Sequence, residues 1–397
     1  MITRILYNQV ERLRKGYPVL MITGPRQSGK TTLARSACAD LRYVNFESPF
    51  EQAAFRQDPV GFLSHYPDGA ILDEAQHVPE IFNYLQVRVD EIGKMGRWVV
   101  TGSQQLDLNK MISQSLAGRV AILELLPFSL EELRGTPREP NTLAEAVLRG
   151  GYPPLYDENR EMDAGEWLDN YLATYVGRDV QSVLALKDRT RFDVFIRHCA
   201  SLSGQLVNKA DLAQTAEIDP MTASAWLNVL EMTYLIRLLR PHHRNFGKRL
   251  NKRPKLHFLD TGLACRLLHI DNVQQLTQSP QWGGLVESWT YGEILKWHRN
   301  RAKRPDLWFW RSSDGIEVDI LMDKGATLVP FEMKAGLTPK LKTRSGLSKL
   351  KALNAGGKEV RISDGFVVYG GHERRKLEDV TFVPWKQIPE MMEEAAL

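Results

Sequence analysis

The residues from Gly24 to Thr32, GPRQSGKTT, have types and a spacing suited to holding a phosphate chain. Two glycines enclose four residues and are followed by Lys30 and Thr31, which is the spacing of a P-loop. Backbone N–H groups of such a loop cradle phosphates, and the helix that follows adds a partial positive charge. We expect Lys30 to reach the β- and γ-phosphates and Thr31 to bind Mg²⁺. The predicted nucleotide-binding residues are Gly24, Pro25, Arg26, Gln27, Ser28, Gly29, Lys30, Thr31 and Thr32.

An acidic pair, Asp73 and Glu74, ends the apolar run Gly69-Ala-Ile-Leu-Asp-Glu-Ala75. Such a pair is common on protein surfaces. At the end of an apolar strand that follows a P-loop, however, it is the Walker B arrangement. Asp73 is then predicted to hold the Mg²⁺ shell, and Glu74 to polarise the attacking water. The expected cofactors are therefore ATP and Mg²⁺.

Two further side chains are candidates to contact the terminal phosphate. Ser103 ends the strand pattern Arg97–Ser103, where ASCE-type ATPases carry a polar sensor of the γ-phosphate, and Gln104 is the substitute candidate. Arg119 directly precedes another strand pattern, which is the arginine-finger position of AAA+ proteins, and would act on a neighbouring subunit's ATP. The alternative is an exposed Arg119 that only interacts with a helix dipole. A finger would require a homo-oligomeric ring or arc, with a hexamer expected.

A second group of charged residues, in the C-terminal third, has the order of a PD-(D/E)xK nuclease core. Glu287 lies in a helix pattern, Asp319 in a strand pattern, and Glu332 and Lys334 in the next strand pattern. Because alternate residues of a strand share a face, Glu332 and Lys334 are predicted to lie together. The three carboxylates would bind Mg²⁺ and Lys334 would orient the water. Two alternatives stay open: a fold of this type that only binds DNA, and strands that merely contain these residue types.

Two stretches rich in Lys and Arg contain no acidic residue. The first lies between Glu231 and Asp260, and the second between Glu332 and Glu359. Basic clusters of this kind neutralise the phosphates of nucleic acids, so DNA is the expected partner. The predicted DNA contacts are Arg244, Lys248, Arg249, Lys252, Arg253, Lys342 and Arg344.

The elements that must position these residues are predicted from apolar periodicity and capping signals. Residues 1–140 alternate short strands with helices, which is typical of an α/β P-loop ATPase core. Residues 141–190 have the spacing of a helical lid over the nucleotide. Residues 191–265 contain three helix patterns and two strand patterns, as in a winged helix, which reads DNA or packs against protein. After a polar, Gln-rich linker, residues 275–397 are predicted to form an α/β restriction-endonuclease-like domain.

The composition of the 397 residues is that of a folded globular protein, with 43% apolar and 25% charged residues. Net charge is only +4, so nucleic acid is expected as a partner because the basic residues are clustered and not because of the total charge. Cys38, Cys199 and Cys265 are far apart, which argues against a disulfide framework and a zinc site. No apolar run reaches the roughly 18 residues of a membrane span. We therefore expect a cytoplasmic protein without a membrane partner.

Taken in order, these motifs resemble those of a family of bacterial and archaeal AAA+-type ATPases with a C-terminal restriction-endonuclease-like domain. The resemblance covers nearly the whole chain. It implies an ATPase of unassigned biological role. The segments that carry it are GPRQSGKT, ILDEAQ, TGSQQ, LAGR, LELLPFSLEEL, GGYP at Gly150–Pro153 and YVGRDV at Tyr175–Val180.

Three functions are compatible with this sequence. The favoured hypothesis is an ATPase that binds and remodels DNA through the winged-helix and nuclease-like domains. The second is a Mg²⁺-dependent, ATP-regulated DNA endonuclease in defence or repair. The third is an ATP-switched regulator or scaffold that acts on protein partners.

Overall fold

The computed structural model describes most of the chain, namely residues 2–103, 116–175, 188–242, 253–312, 314–338, 345–354 and 360–397. Seven of the predicted site residues lie outside these ranges. They are Gln104, Arg244, Lys248, Arg249, Lys252, Lys342 and Arg344.

The N-terminal unit is a five-stranded parallel sheet. Its strands β1 to β5 are Val19–Thr23, Arg42–Asn45, Ala70–Asp73, Trp98–Gly102 and Val120–Glu124. The spatial order is β2-β3-β4-β1-β5, so that β4 separates the P-loop strand from the strand that ends in Asp73. Every pair runs parallel, which brings the carboxyl ends of β1, β3 and β4 to one edge of the sheet. This is the strand arrangement of an ASCE-type ATPase core.

Strand β1 is apolar on both faces because helices cover both sides of the sheet. Val19 and Met21 contribute to one hydrophobic cluster, whereas Leu20 and Ile22 contribute to another. This alternation is the period of two that a strand imposes on its side chains. The covering helices α1 to α5 are Tyr7–Arg14, Lys30–Ala37, Pro49–Gln57, Pro59–Ser64 and Ile81–Ile92.

A short helical segment follows β5 and lies against the rest of the chain. Its helices α6 to α8 are Leu130–Leu133, Leu143–Arg149 and Ala164–Tyr171. The GGYP motif lies between α7 and α8, where Gly151 O accepts a 2.7 Å hydrogen bond from Phe128 N. Gly151 N in turn donates to the buried Asp260 carboxylate at 2.7 Å. The contact with Asp260 fixes the segment to the middle of the chain.

The middle unit consists of three helices, a small antiparallel sheet and two further helices. Helices α9 to α13 are Arg189–Ser201, Lys209–Thr215, Pro220–Met232, Thr261–Leu267 and Val273–Gln278. Strands β6 to β8 are Gln205–Leu206, Ile236–Leu239 and Lys255–Phe258, in the spatial order β6-β8-β7. The predicted Gln-rich linker is wrong in part, because α13 forms there. Asn272 caps this helix by accepting from Gln275 N at 2.9 Å, and Leu276 is buried.

The C-terminal unit is a seven-stranded mixed sheet with a long helix, α14, Trp282–Asn300, on one face. Strands β9 to β15 are Leu307–Arg311, Glu317–Asp323, Thr327–Lys334, Arg361–Ile362, Gly365–Tyr369, Arg375–Leu377 and Val380–Pro384. Helices α15 and α16 are Ser345–Asn354 and Ile388–Ala396.

One hydrophobic cluster extends from Leu126 to Ala395 and includes residues of the helical segment, the middle unit and α14. Fourteen of the 19 residues of α14 are buried. The described helices include none that is both long and apolar enough to cross a membrane.

Candidate active site

The P-loop forms the turn between β1 and α2, at the carboxyl edge of the parallel sheet. Gly29 has φ of 92°, a left-handed conformation that favours glycine. A Cβ on Gly24 would collide with the backbone oxygen of Leu125. The Ser28 hydroxyl is fully buried and has no hydrogen-bond partner in the described part of the chain. A tight loop with an unpaired buried hydroxyl fits the phosphate groups of ATP.

Lys30 is 5% exposed and lies folded within this loop. Its Nζ donates to Gly24 O at 3.1 Å and to Pro25 O at 2.9 Å. Burial lowers the pKa of Lys30 to about 8, although the nearby Glu74 and Asp73 partly offset this effect. The ammonium group is therefore held where the predicted phosphates would lie, with backbone carbonyls as its hydrogen-bond acceptors.

Asp73 is buried at the end of β3 and accepts hydrogen bonds from three hydroxyl groups. Thr31 Oγ1 lies 2.9 Å from its Oδ2, Tyr43 OH lies 2.7 Å from the same oxygen, and Thr101 Oγ1 donates to Oδ1. The two predicted Mg²⁺ ligands, Thr31 and Asp73, are thus in contact. Tyr43 and Thr101 were not among the predicted site residues, although a Thr inside the apolar run of β4 was an available signal.

Glu74 and Ser103 are brought together beside Asp73. Glu74 has φ of 54°, a strained conformation for a non-glycine residue and one that is frequent at functional sites. Its Oε2 accepts hydrogen bonds from Gln76 Nε2 and from Ser103 Oγ, the latter at 3.4 Å. Gln76, the last residue of the ILDEAQ segment, was not predicted to act here. The contact leaves the second carboxylate oxygen, Oε1, available to a water molecule.

A cavity of about 890 Å³ opens above the P-loop, a size suited to a nucleotide. Lys30 and Asp73 contribute to one wall. Other lining residues come from the N-terminus and from the segment that begins with the last residue of the GGYP motif. They include Ile2, Tyr7, Pro153, Tyr156 and Arg160.

Arg4 links the P-loop to the segment that follows β5, and no sequence motif indicated this role. Its Nε pairs with Glu132 Oε1 at 2.9 Å, and the side chain of Glu132 is fully buried. Two further nitrogens of Arg4 donate to Ser28 O at 2.9 Å and to Leu126 O at 2.5 Å. Arg4 thereby holds the P-loop against the segment that follows β5.

Arg119 lies at the opposite edge of the sheet from the P-loop. It directly precedes β5, and its carbonyl oxygen accepts from Val19 N at the start of β1. The guanidinium group pairs with Asp90, at 2.6 Å and 2.9 Å. A five-residue strand spans roughly 16 Å, so that Arg119 lies too far away to reach the P-loop of the same chain.

The predicted nuclease-like residues come together at the face of the C-terminal sheet that α14 covers. Lys334 Nζ lies 3.0 Å from Glu332 Oε2 and 3.8 Å from Asp319 Oδ2. Met333 N donates to Asp319 Oδ2 at 2.9 Å, and a shift in strand register follows Val318 on β10. Glu332 and Lys334 share a face, as the strand pattern predicted.

A buried lysine from the middle unit, Lys255, lies among these carboxylates. Its Nζ lies 2.7 Å from Glu287 Oε1 and 3.4 Å from Asp319 Oδ1, and it also pairs with Glu317. Burial opposes the charge of Lys255, but the three carboxylates outweigh it and raise its pKa. Burial also disfavours the charged form of Asp319, but Lys255 and Lys334 lower its pKa.

The cluster does not fit the Mg²⁺ ion that was predicted for Glu287, Asp319 and Glu332. The ammonium group of Lys255 lies between Glu287 and Asp319, two of the three carboxylates that would have to converge on the metal. Across the described ranges, no group of three or more His, Cys, Asp or Glu side chains is arranged to hold a metal ion. Lys255 belongs to the first basic stretch of the sequence, and its contact with these carboxylates was not predicted.

The described residues of the two basic stretches are largely neutralised by distant acids. Arg237 donates to Glu124 Oε1 at 3.0 Å, and Lys351 pairs with Asp379 at 2.8 Å. Arg253, one of the predicted DNA contacts, is exposed. Although the two stretches contain no acids of their own, Arg237 and Lys351 are therefore paired with acids from elsewhere in the chain.

The comparisons with known proteins agree with the geometry of the nucleotide site. The family model described as AAA domain matches residues 16–134. Two models of domains of unknown function, DUF8612 and DUF4143, match residues 140–274 and 282–388.

Two curated relatives match most of the chain. Uncharacterized protein Rv2008c of Mycobacterium tuberculosis (strain ATCC 25618 / H37Rv) is 32% identical over 382 residues, which cover 95% of this chain and 83% of that protein. Uncharacterized protein Mb2031c of Mycobacterium bovis has the same values. Among solved structures, the Walker-type ATPase PABY2304 of Pyrococcus abyssi aligns with a TM-score of 0.45 and 17% identity, over 67% of this chain and 96% of that one. With its AAA domain and its match to the two mycobacterial proteins, the chain belongs to their family and is an AAA-type ATPase that binds and hydrolyses ATP.

Proposed function

We propose that Glu74 orients the water that attacks the γ-phosphate of ATP, with Gln76 and Ser103 holding its carboxylate. The supporting observation is that both donors bind Oε2, so that Oε1 can accept from the water. Lys30 would bind the β- and γ-phosphates. Thr31 and Asp73 would hold Mg²⁺, which when bound neutralises charge on the phosphate oxygens.

Glu74→Gln tests this assignment. It keeps the size of the side chain and removes the base, so we expect ATP binding within about threefold of wild type and hydrolysis slower by at least ~100-fold. Phosphate release and equilibrium binding of a fluorescent ATP analogue measure the two quantities. Hydrolysis at the wild-type rate would remove Glu74 from the mechanism.

We further propose that Arg119 acts on the ATP of a neighbouring copy in a homo-oligomeric ring or arc. Its place at the sheet edge opposite the P-loop supports an action between subunits, for which its bond to Asp90 must open. Arg119→Ala and Lys30→Ala subunits should each be inactive alone, and their mixture should regain part of the ATPase rate. A mixture that stays inactive would contradict the shared site.

We propose that the ATPase acts on DNA, with the middle unit as the contacting surface. The observation that carries this is the outer face of α11, where Met221, Ala225 and Asn228 are exposed at helical spacing. None of these three positions carries an acid, although the exposed Asp219 caps the start of the helix. Lys209 of α10 lies beside the face and donates to Ser224 Oγ at 2.7 Å. A neutral helix face bordered by a cation is suited to a DNA groove.

Asn228→Glu tests this surface, because it adds one negative charge to the face that would approach the phosphates. We expect duplex affinity to fall about fivefold, the effect of roughly 1 kcal/mol of charge repulsion. Gln274→Glu adds the same charge to the exposed side of α13 and is the matched control. Fluorescence anisotropy of a labelled duplex at several salt concentrations is the assay. With about five phosphate contacts, log K should fall with a slope of roughly −4.5 against log salt.

The ATP-switched regulator remains the second candidate, because Met221 is 84% exposed and apolar. An exposed methionine on a neutral helix face also suits a protein partner. If wild type shows neither salt-dependent binding to duplex, single-stranded or branched DNA nor stimulation of its ATPase by them, the DNA proposal fails and this candidate replaces it.

A further inference from the structure

The C-terminal carboxylate cluster contains four acids and three bases drawn from five elements. Glu287 comes from α14, Glu317 and Asp319 from β10, and Glu332 from β11. The bases are Lys255, Lys334 and Arg311, the last of which pairs with Glu317 at 3.2 Å. Within the cluster the four acids are therefore matched by three bases.

The hydrogen-bonding capacity of Lys255 is fully used within the cluster. An ammonium group has three N–H donors, and Lys255 Nζ has three carboxylate partners, Glu287, Glu317 and Asp319. The side chain is 1% exposed. A buried charge of this kind is stable only when it is paired and hydrogen-bonded, and here each donor has an acceptor.

The ammonium group is delivered by a rigid element of another unit. Lys255 is the first residue of β8, which pairs with β7 through Leu239 and with β6 through Leu206. Two residues further along the same strand, His257 stacks on Tyr291 of α14 at 4.6 Å between ring centroids. The strand is thus anchored to its own sheet and to the helix that carries Glu287.

We infer that Lys255 takes the place of the divalent cation in this nuclease-like site, and that the C-terminal unit therefore does not cut DNA. A Mg²⁺ ion needs oxygen ligands at about 2.0–2.1 Å in octahedral geometry. The oxygen atoms here are instead arranged around a nitrogen at hydrogen-bond distances. The cluster joins the middle unit to the C-terminal sheet as a charged contact, and this inference does not depend on DNA binding by α11.

Mn²⁺ binding to the nucleotide-free protein tests the inference, with the free-ion signal in electron paramagnetic resonance as the readout. Four full-length proteins are compared: wild type, Asp319→Asn, Lys255→Met, and the double variant. Any ion at the P-loop is common to all four and subtracts out. Wild type and Asp319→Asn should bind equally, whereas Lys255→Met should gain one site that the double variant lacks.

Two results would overturn the inference. One is the loss of a Mn²⁺ site when Asp319→Asn is introduced into the wild-type chain. This comparison can be made even if Lys255→Met does not fold. The other is a folded Lys255→Met protein that gains no site. Removing one partner of a buried charge group should also lower Tm by roughly 5–10 °C, and millimolar Mn²⁺ should restore part of it in Lys255→Met alone.

A nuclease assay provides an independent arm. Supercoiled plasmid is incubated with wild type or Asp319→Asn in the presence of Mg²⁺ or Mn²⁺, with and without ATP. Equal background nicking by both proteins is expected. Nicking by wild type that Asp319→Asn abolishes would show a working metal site and would refute the assignment of Lys255.

Discussion

Replacing Arg4 with methionine should lower the free energy of unfolding by about 3–4 kcal/mol. Arg4 is 8% exposed and binds the Glu132 carboxylate and two backbone carbonyls. Breaking a buried ion pair costs about 3–5 kcal/mol because the remaining charge is left uncompensated. Glu132 would keep hydrogen bonds from Ile5 N and Ser129 N, both at 3.0 Å, which places the expected value at the lower end of that range.

Urea denaturation measures the change, compared at equal m values. Arg12→Met is the matched control, because Arg12 is exposed and donates only to Gln9 among the described side chains. Arg4→Met/Glu132→Gln should regain about 1–2 kcal/mol, since the stranded charge is gone. Because Arg4 also braces Ser28 O, ATP should bind about fivefold more weakly to Arg4→Met, the effect of about 1 kcal/mol. An Arg4→Met protein within about 0.5 kcal/mol of the control would refute the reasoning.

Two further predictions concern the nucleotide site. Gln76→Ala removes the closer donor to Glu74, so kcat should fall about tenfold with the KM for ATP within about twofold. Gln57 is exposed on α3, and Gln57→Ala should leave both constants unchanged in the same steady-state assay. Burial lowers the pKa of Lys30 to about 8, so its ammonium form is lost as pH rises above that value. The Kd for ATP should then rise roughly tenfold from pH 7 to pH 9, whereas a weaker-binding Lys30→Arg protein should show a flat profile; equal slopes in the two would contradict the role of Lys30 titration.

The nucleotide site could be predicted from the sequence because its geometry is local. The P-loop needs only a strand before it and a helix after it, and Asp73 and Glu74 need only to end a neighbouring strand. Parallel pairing then brings Ser103 to the same edge. Each of these positions follows from elements that are a few residues long.

The contacts of Arg4, Tyr43 and Lys255 could not be predicted, because each depends on a partner far away in the sequence. Lys255 lies 32 residues from Glu287 and 64 from Asp319, and nothing in the local pattern distinguishes it from a surface lysine. The ion pairs of the first basic stretch were hidden for the same reason, since the acids that pair with its described residues Arg237 and Lys255 come from other elements. The helix α13, in contrast, had a local signal in Asn272, which the polar composition obscured.

The burial of α14 limits how the gene for this chain can be divided or recombined. One side of the helix completes the hydrophobic cluster of the middle unit, and the C-terminal sheet covers another. Neither neighbour would keep a closed core without it. Gene fission or domain exchange near residue 282 should therefore yield insoluble products. We expect the middle and C-terminal units to stay together during recombination, and the AAA domain to evolve in the presence of both.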